Sequence, residues 1–332
     1  MIAPSGRGVW IVPKSQQTNF RSPRNLPEPD GLYQRNPHMR LFFLMLVLVL
    51  PSTAFSQEPA PPKNQPAALT EDQIRDLIRR SADNDLENDK KQRNYTYVER
   101  EEVRRLDGQG QVKSSEVKTY DVMEIYGEQV QKLIAKDNQP LSDKDARKED
   151  EKIQKLIDKR KNESDNDRRK RLEKEEKDRE ESRQFVKEIA DAYNFRFAGF
   201  ELLDERENYV IDCDPKPGFQ PHMKESKFLS KARGRVWIDK NDLQMKKLDV
   251  VFIDTVSLGL FLARVHQGSR VVVENVRVND EVWLQQHVAV KVDVRVALLK
   301  NFNLEVDVSD RDYKKFRSNT MIIPLGEAPL EH

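Results

Sequence analysis

From residue 281 to residue 308, apolar side chains recur at every second position with few interruptions. Successive side chains on a β-strand point to opposite faces, so this alternation predicts strands with one apolar face and one polar face. Short connections favour antiparallel neighbours, because parallel strands need a long crossover between them. An apolar sheet face has to be covered by another element or by a ligand. The apolar positions are Val282, Leu284, Val288, Val290, Val292, Val294, Val296, Leu298, Phe302, Leu304, Val306 and Val308.

The first 56 residues carry no pattern of a folded domain. Residues 1–38 are rich in Pro, Arg, Asn and Gly, and we predict that they are disordered or untranslated. Residues 39–56 have the layout of a secretory signal peptide, with a positive charge, the continuous apolar run Leu41–Leu50 and small residues near a cleavage site. The apolar run is short for a membrane span, and an uncleaved anchor is the alternative. We predict a secreted chain without a membrane span, whose residues 57–69 form a linker.

Composition and motifs argue against several classes of function. Removal of residues 1–56 takes away six basic and two acidic residues, so the net charge changes from +1 to −3 and gives no electrostatic basis for binding nucleic acid. The single cysteine, Cys213, has no partner for an internal disulfide and is predicted to be a small apolar strand residue. The histidines show no metal-ligand spacing, and the sequence contains no nucleophile elbow, P-loop or dinucleotide fingerprint. We predict a protein without catalytic activity, cofactor or metal.

The remaining pattern predicts one core domain over residues 70–332. A capping box at residues 70–73 predicts a helix whose apolar stripe contains Ile74, Leu77 and Ile78. About ten strands follow, and Trp237 and Trp283 fall on the polar face if alternation is strict. We expect a mainly antiparallel α+β fold: an open, strongly curved half-barrel sheet with helices on its concave face. The expected strands are 94–105, 112–126, 129–136, 195–203, 207–213, 234–239, 244–253, 270–278, the meander of 281–308, and 310–316.

Residues 142–183 differ sharply from the rest of the chain. About three-quarters of them are charged, both signs are nearly balanced, and opposite charges recur at helical spacing. Apolar positions are too few for a coiled coil. We interpret the segment as a charged helical insert, which is either a solvated arm or a docking arm for an envelope protein.

One short motif points to a known family. The segment Gly234–Asp239 reads Gly-Arg-Val-Trp-Ile-Asp and precedes a turn and the returning strand 244–253. Combined with the signal peptide, the helix and the antiparallel meander, it resembles the signature of outer-membrane lipoprotein-sorting proteins. The closing strand around Tyr313–Phe316 is also similar to the last strand of that family. The resemblance implies a periplasmic half-barrel whose concave apolar face, lidded by helices, holds acyl chains.

These features lead to a binding hypothesis and one alternative. We expect a lipid or a lipoprotein acyl chain to bind the apolar face. Such binding is possible because the burial of apolar surface alone can supply the affinity. The same residues also suit an ordinary core, in which the helices plug the sheet permanently. In the alternative, the protein is an envelope interaction or sensor module, with the sheet as scaffold and the 142–183 arm as the recognition element. The predicted ligand contacts are Leu248, Val250, Phe252, Val292, Val294, Val296, Leu304 and Val306, and the predicted lid helix contributes Ile74, Leu77 and Ile78.

Overall fold

The structure is a computed structural model, and it describes residues 69–126, 128–223, 225–258, 263–296 and 300–316. The predicted leader, the predicted signal peptide and nearly all of the predicted linker lie outside these residues, as does the apolar run at 321–323. The fold described below is that of the remaining chain.

In the part of the chain that the structure describes, thirteen strands form one sheet, and three of them are short pieces of two or three residues. Two of these short strands are Val256–Leu258 and Ala263–Val265. The separate strand predicted at 310–316 was wrong, because residues 310–315 continue the strand that begins at Lys300. The strands are β1 (Tyr95–Leu106), β2 (Val112–Ile125), β3 (Glu128–Lys136), β4 (Gln139–Pro140), β5 (Tyr193–Leu203), β6 (Arg206–Pro215), β7 (Ala232–Asp239), β8 (Met245–Phe252), β9 (Val256–Leu258), β10 (Ala263–Val265), β11 (Arg270–Val278), β12 (Val282–Val296) and β13 (Lys300–Lys315).

The sheet is antiparallel, open and curled, as the alternation predicted. Its strand order is β4-β3-β2-β1-β13-β12-β11-β8-β7-β6-β5, and off this path β10 pairs with β12 and β9 pairs with β10. Most neighbours are consecutive in sequence, which is the expected result of short hairpin connections. The exceptions are the pairing of β1 with β13 and that of β8 with β11. The pairing of β1 with β13 joins β1–β4 to the other strands in one sheet.

Among the described residues, three α-helices and one 3-10 helix accompany the sheet: α1 (Glu71–Gln92), α2 (Asp143–Lys161), α3 (Asp165–Ala192) and the 3-10 helix Glu225–Lys231. The predicted capping box is present, because Thr70 Oγ1 accepts from the Gln73 backbone N–H at 3.3 Å and Gln73 Oε1 accepts from the Thr70 N–H at 2.8 Å. The charged insert consists of two helices, each with its own serine N-cap, Ser142 and Ser164.

The main core lies on one face of the sheet, which we name the inner face. Apolar residues of β5 to β8 and β12 pack there against α1, the end of α3 and the 3-10 helix. Phe252, which is 1% exposed, contacts Phe228 of the 3-10 helix with ring centroids 6.1 Å apart. A second cluster continues along the same face through Val271, Val273 and Val288 of β11 and β12. The helices therefore cover part of the apolar face, as predicted.

The opposite, outer face carries charged side chains in cross-strand pairs. Lys247 Nζ lies 2.6 Å from Glu274 Oε1, and His287 Nε2 lies 2.9 Å from Asp307 Oδ2. Trp237 lies on this face as predicted, with its Nε1–H donating to Glu201 Oε2 at 2.6 Å and its ring beneath Lys247. Such partly exposed pairs each contribute about 0–1 kcal/mol, so they add little to the stability of the sheet.

A register shift moves Trp283 to the inner face, contrary to the strict alternation expected from the sequence. The pairing of β11 with β12 changes register between Glu274 and Asn275, because β12 carries one extra residue there. His287 stays on the outer face, whereas Trp283 is 4% exposed and lies beneath α1. The prediction that Trp283 and His287 share a face was wrong, because one extra residue in a strand turns every side chain beyond it to the opposite face.

Candidate functional site

The sequence-predicted contact residues are brought together on the inner face. Val250, Phe252, Val292 and Val294 are buried in the main core cluster, and Leu248 and Leu304 pack at its margin. Val306 packs against the second cluster on the same face. The strand position of Val296 is described, but its side chain is not. Their common location is therefore established, and their role in binding remains a prediction.

The first half of α1 lies on this face through apolar contacts. Ile74 is 1% exposed and Leu77 is 7% exposed, and both belong to the main core cluster, with Ile78 at its margin. Arg75, which the sequence analysis did not single out, adds a polar contact at the same end. Its Nη1 donates to the Ala190 carbonyl oxygen of α3 at 2.5 Å, and its guanidinium lies 5.6 Å from the centre of the Phe195 ring.

The second half of α1 is held by hydrogen bonds to the sheet. Asn88 Nδ2 donates to the Trp283 carbonyl oxygen at 2.7 Å, and Asn88 Oδ1 accepts from the Trp283 N–H at 2.9 Å. Gln92 Nε2 donates to the same carbonyl oxygen at 2.8 Å. Asn84 Nδ2 reaches the backbone oxygens of Asp242 and Leu243 in the β7–β8 turn. This half of the helix is therefore fixed by specific polar contacts, while the first half is held mainly by apolar packing.

That turn is itself organised by an ion pair. Arg206 donates to both carboxylate oxygens of Asp239, at 2.6 and 2.8 Å, and Asp239 Oδ1 accepts from the N–H groups of Asn241 and Asp242. Burial alone would raise the pKa of Asp239, but these bonds outweigh it and the pKa lies below its usual range. Asp239 is the last residue of the Gly234–Asp239 motif, and its role there is to hold Arg206 and the N–H groups of the following turn.

Asp85 places a titratable group between α1 and the sheet. Loss of hydration raises the pKa of its carboxyl group to about 7, and a hydrogen bond with the backbone of Met245 on β8 offsets this only in part. An ordinary aspartate side chain is fully charged at neutral pH. The contact between α1 and β8 is therefore expected to be sensitive to pH near neutrality.

Part of the inner face is not buried by the helices. Val103 of β1, Val290 of β12 and Phe302, Leu304 and Val306 of β13 are half-buried. Cross-strand pairing places Val103 opposite Val306, Val306 opposite Val290, and Leu304 opposite Val292. Directly opposite residues of antiparallel strands share a face, so these side chains form a continuous surface beside the core. We name these five residues the apolar strip.

Beyond the strip, the inner face changes from apolar to polar. In the row of paired residues that begins at Val288 and Val308, the next members are Glu101 of β1 and Lys118 of β2. Lys118 is 7% exposed and lies 3.5 Å from Glu116. The sequence did not show this change, because the alternation of β1 and β2 is obscured by charges on both faces.

The charged arm is attached to the core by the last turns of α3. Phe185, Ala190 and Ala192 are buried, and the buried Glu188 carboxylate accepts hydrogen bonds from Ser226 and from the backbone N–H groups of His222 and Met223. Every described side chain from 165 to 184 in α3 is exposed or half-buried. The arm therefore presents a long polar helix surface, and its C-terminal turns are fixed to the core by packing and hydrogen bonds.

Other chemical sites were also sought in the part of the chain that the structure describes. Cys213 lies in β6 and packs at the margin of the core, and burial raises the pKa of its thiol to about 12. No grouping of histidine, cysteine and carboxylate side chains suited to a metal ion occurs among these residues. None of the described helices has the length and apolar character that crossing a membrane requires.

Comparison with known proteins gives limited similarities. No protein-family model and no curated protein sequence matches this chain. Among solved structures, an outer membrane lipoprotein-sorting protein domain from Vibrio parahaemolyticus matches with 9% identity and a TM-score of 0.31, over 74% of this chain and 95% of that one. A DUF1329 family protein from Desulfovibrio piger matches with 10% identity and a TM-score of 0.25, over 74% and 95%.

A third structure, the LolA superfamily protein NE2245 from Nitrosomonas europaea, matches with 10% identity and a TM-score of 0.25, over 71% of this chain and 94% of that one. Of the three descriptions, the first names outer membrane lipoprotein sorting.

Proposed function

We propose that this chain is a non-catalytic periplasmic protein that binds the acyl chain of a lipid or a lipoprotein on its inner face. In this proposal it serves the sorting of lipoproteins to the outer membrane. The observation that carries the proposal is the apolar inner face, which is partly buried beneath α1 and partly half-exposed as the apolar strip. An apolar surface of this kind favours a ligand without polar groups along its length.

The energies involved allow α1 to be displaced by a ligand. A fully buried Leu or Ile side chain contributes about 1.5–3 kcal/mol, so Ile74 and Leu77 together contribute about 3–6 kcal/mol. Ten buried methylenes at about 0.8 kcal/mol each contribute about 8 kcal/mol before the cost of ordering the chain. An acyl chain can therefore replace the apolar contacts of the first half of α1, while the polar contacts of its second half keep the helix attached.

The test is binding of a neutral apolar dye, N-phenylnaphthylamine, to the purified chain beginning at residue 57, followed by displacement with long-chain lipids. Val306→Thr places a hydroxyl on the apolar strip at nearly constant volume, and we expect it to weaken dye binding several-fold. Val272→Thr is the matched control, since Val272 is equally half-buried but is paired with Asp249 and Ala289 on the outer face.

Two outcomes contradict the proposal. One is the absence of dye fluorescence with the wild-type protein, together with no lipid in native mass spectra of protein recovered from a periplasm. The other is equal weakening by Val306→Thr and Val272→Thr, because a general loss of stability would then explain the effect. Matching urea midpoints for the two variants exclude that explanation in advance.

The exposed arm supports a second candidate, an envelope interaction module. From residue 165 to residue 184, α3 has no buried side chain among those described, yet the helix is capped at Ser164 and its last turns are anchored in the core. Deletion of residues 142–183 separates the two functions. An acyl-binding protein keeps its affinity for the dye after the deletion, whereas an interaction module loses its protein partner in crosslinking experiments and keeps no other function.

A further inference from the structure

The cationic side chain of Arg105 adjoins the apolar strip. Arg105, near the end of β1, is paired directly with Leu304 of β13 on one side and with Ser114 of β2 on the other. Because directly opposite residues share a face, the Arg105 side chain lies on the inner face. Leu304 is in turn paired with Val292 of the main core cluster. Neighbouring strands are about 4.8 Å apart, so about 10 Å separates Arg105 from the core cluster along this row.

The adjacent arginine has a different environment. Arg104 points to the outer face, where its Nε donates to Glu102 Oε1 at 2.7 Å and its Nη1 lies 3.9 Å from Glu305. Arg105 is exposed, and among the residues that the structure describes none forms a hydrogen bond or an ion pair with its guanidinium. Glu116, diagonally across β2 on the same face, lies 3.5 Å from Lys118. A cation in this position is therefore available to a ligand.

We propose that Arg105 binds an anionic headgroup at the end of the acyl chain, so that the ligand is an anionic amphiphile, a fatty acid or a phosphate-bearing lipid. This inference rests on the proposed function, because it assigns the polar end of the same ligand. The planar guanidinium matches carboxylate and phosphate oxygens in a bidentate arrangement. The headgroup lies at Arg105 beside the Ser114 hydroxyl, and the chain runs over Leu304 toward Val292 and the cluster beneath α1.

The size of the site agrees with this orientation. Phe302 to Val306 spans five residues of β13, which is about 13 Å of strand at 3.3 Å per residue. The row from Arg105 to Val292 adds about 10 Å in the perpendicular direction, across the strands. The surface therefore accommodates the first part of an extended acyl chain, and the remainder continues toward the cluster beneath α1. A ligand with an uncharged head gains the same apolar contacts but leaves the guanidinium to solvent. The preference for an anionic head is therefore expected to depend on one residue.

The experiment compares four ligands that carry the same acyl length, in displacement of N-phenylnaphthylamine from the purified chain beginning at residue 57. Palmitate and palmitoyl lysophosphatidate carry anionic heads, whereas hexadecanol and monopalmitin do not. For the wild-type protein we expect at least one anionic ligand to displace the dye at about tenfold lower concentration than hexadecanol. The stronger of the two anions identifies the headgroup as carboxylate or phosphate.

Two variants test whether the preference for an anionic headgroup depends on Arg105. Arg105→Gln is expected to bring the anionic ligands to the level of hexadecanol without changing displacement by hexadecanol itself. Arg104→Gln is the matched control, since it removes one positive charge at the neighbouring position on the outer face, and it is expected to retain the tenfold preference. Raising the salt concentration to about 0.5 M is expected to reduce the preference in the wild-type protein, because an exposed charge interaction is screened.

The outcomes separate this inference from the proposed function. If all four ligands displace the dye from wild-type protein at one concentration, the headgroup role of Arg105 is overturned and acyl binding stands. If Arg104→Gln loses the preference to the same extent as Arg105→Gln, the effect is one of net charge and the assignment to the inner face is wrong. If no ligand displaces the dye, the proposed function fails and this inference fails with it.

Discussion

The carboxyl group of Asp85 on α1 gives a quantitative test of how this helix is held on the sheet. Burial raises its pKa to about 7 from the ordinary value of 3.8. The folded state therefore binds this proton more tightly than the unfolded state does. The stabilisation from the protonated form is fully present below about pH 4, is lost as the pH rises to about 7, and does not change further above pH 7.

The magnitude follows from the shift. A displacement of about three pKa units corresponds to a ceiling of about 4 kcal/mol at 1.36 kcal/mol per unit. Asp85 is only half-buried by its accessible surface, so we expect about half of that ceiling, or about 2 kcal/mol. Asp85→Asn keeps an oxygen acceptor for the backbone of Met245 and removes the charge. It should be more stable than the wild-type protein by about 2 kcal/mol at pH 8 and about equal to it at pH 4.

Urea unfolding of the two proteins from pH 4 to pH 8 measures this difference, and the contributions of all other titratable groups cancel in the comparison. Amide hydrogen exchange within α1 shows whether the gain resides in this helix. Asp83→Asn, at an exposed position of the same helix, is the control and should show no such trend. A constant difference between Asp85→Asn and wild type across the pH range would refute the reasoning, as would a less stable variant at pH 8.

Three further predictions concern the core and the turn beneath α1. Phe252→Ala should lower the free energy of unfolding by about 3–5 kcal/mol in urea titrations, because Phe252 is buried in the main core cluster. Asp239→Ala should cost about 3 kcal/mol at pH 7, since it leaves Arg206 and two turn N–H groups without their acceptor. This deficit should begin to shrink as the pH falls below the ordinary aspartate pKa of 3.8, and it should shrink until the pH reaches the lowered pKa of the folded state. The Cys213 thiol should resist a disulfide reagent at pH 8 in the folded protein and react at once in urea, because its folded pKa is about 12. Rapid reaction of the folded protein would show that β6 opens locally.

Local sequence patterns were sufficient for most elements of the fold. The capping box at Thr70 predicted the start of α1, since its hydrogen bonds involve residues three apart. Alternation predicted β12 and β13 and placed Val292, Val294 and Leu304 on one apolar face. It also predicted the position of Trp237 on the outer face. These features depend on the geometry of a helix turn or of a single strand, which neighbouring residues determine.

The sequence by itself determined an open antiparallel sheet with one apolar face, a helix able to cover it and a charged arm. Only the tertiary structure decided which part of that face the helix covers. Pairing of β1 with β13 brings Arg105 beside Leu304 across almost 200 residues, and the extra residue in β12 turns Trp283 toward α1. Neither follows from local periodicity, because both depend on which distant strands pair and in which register. Strand pairing and register depend on which arrangement buries the apolar face of the whole sheet.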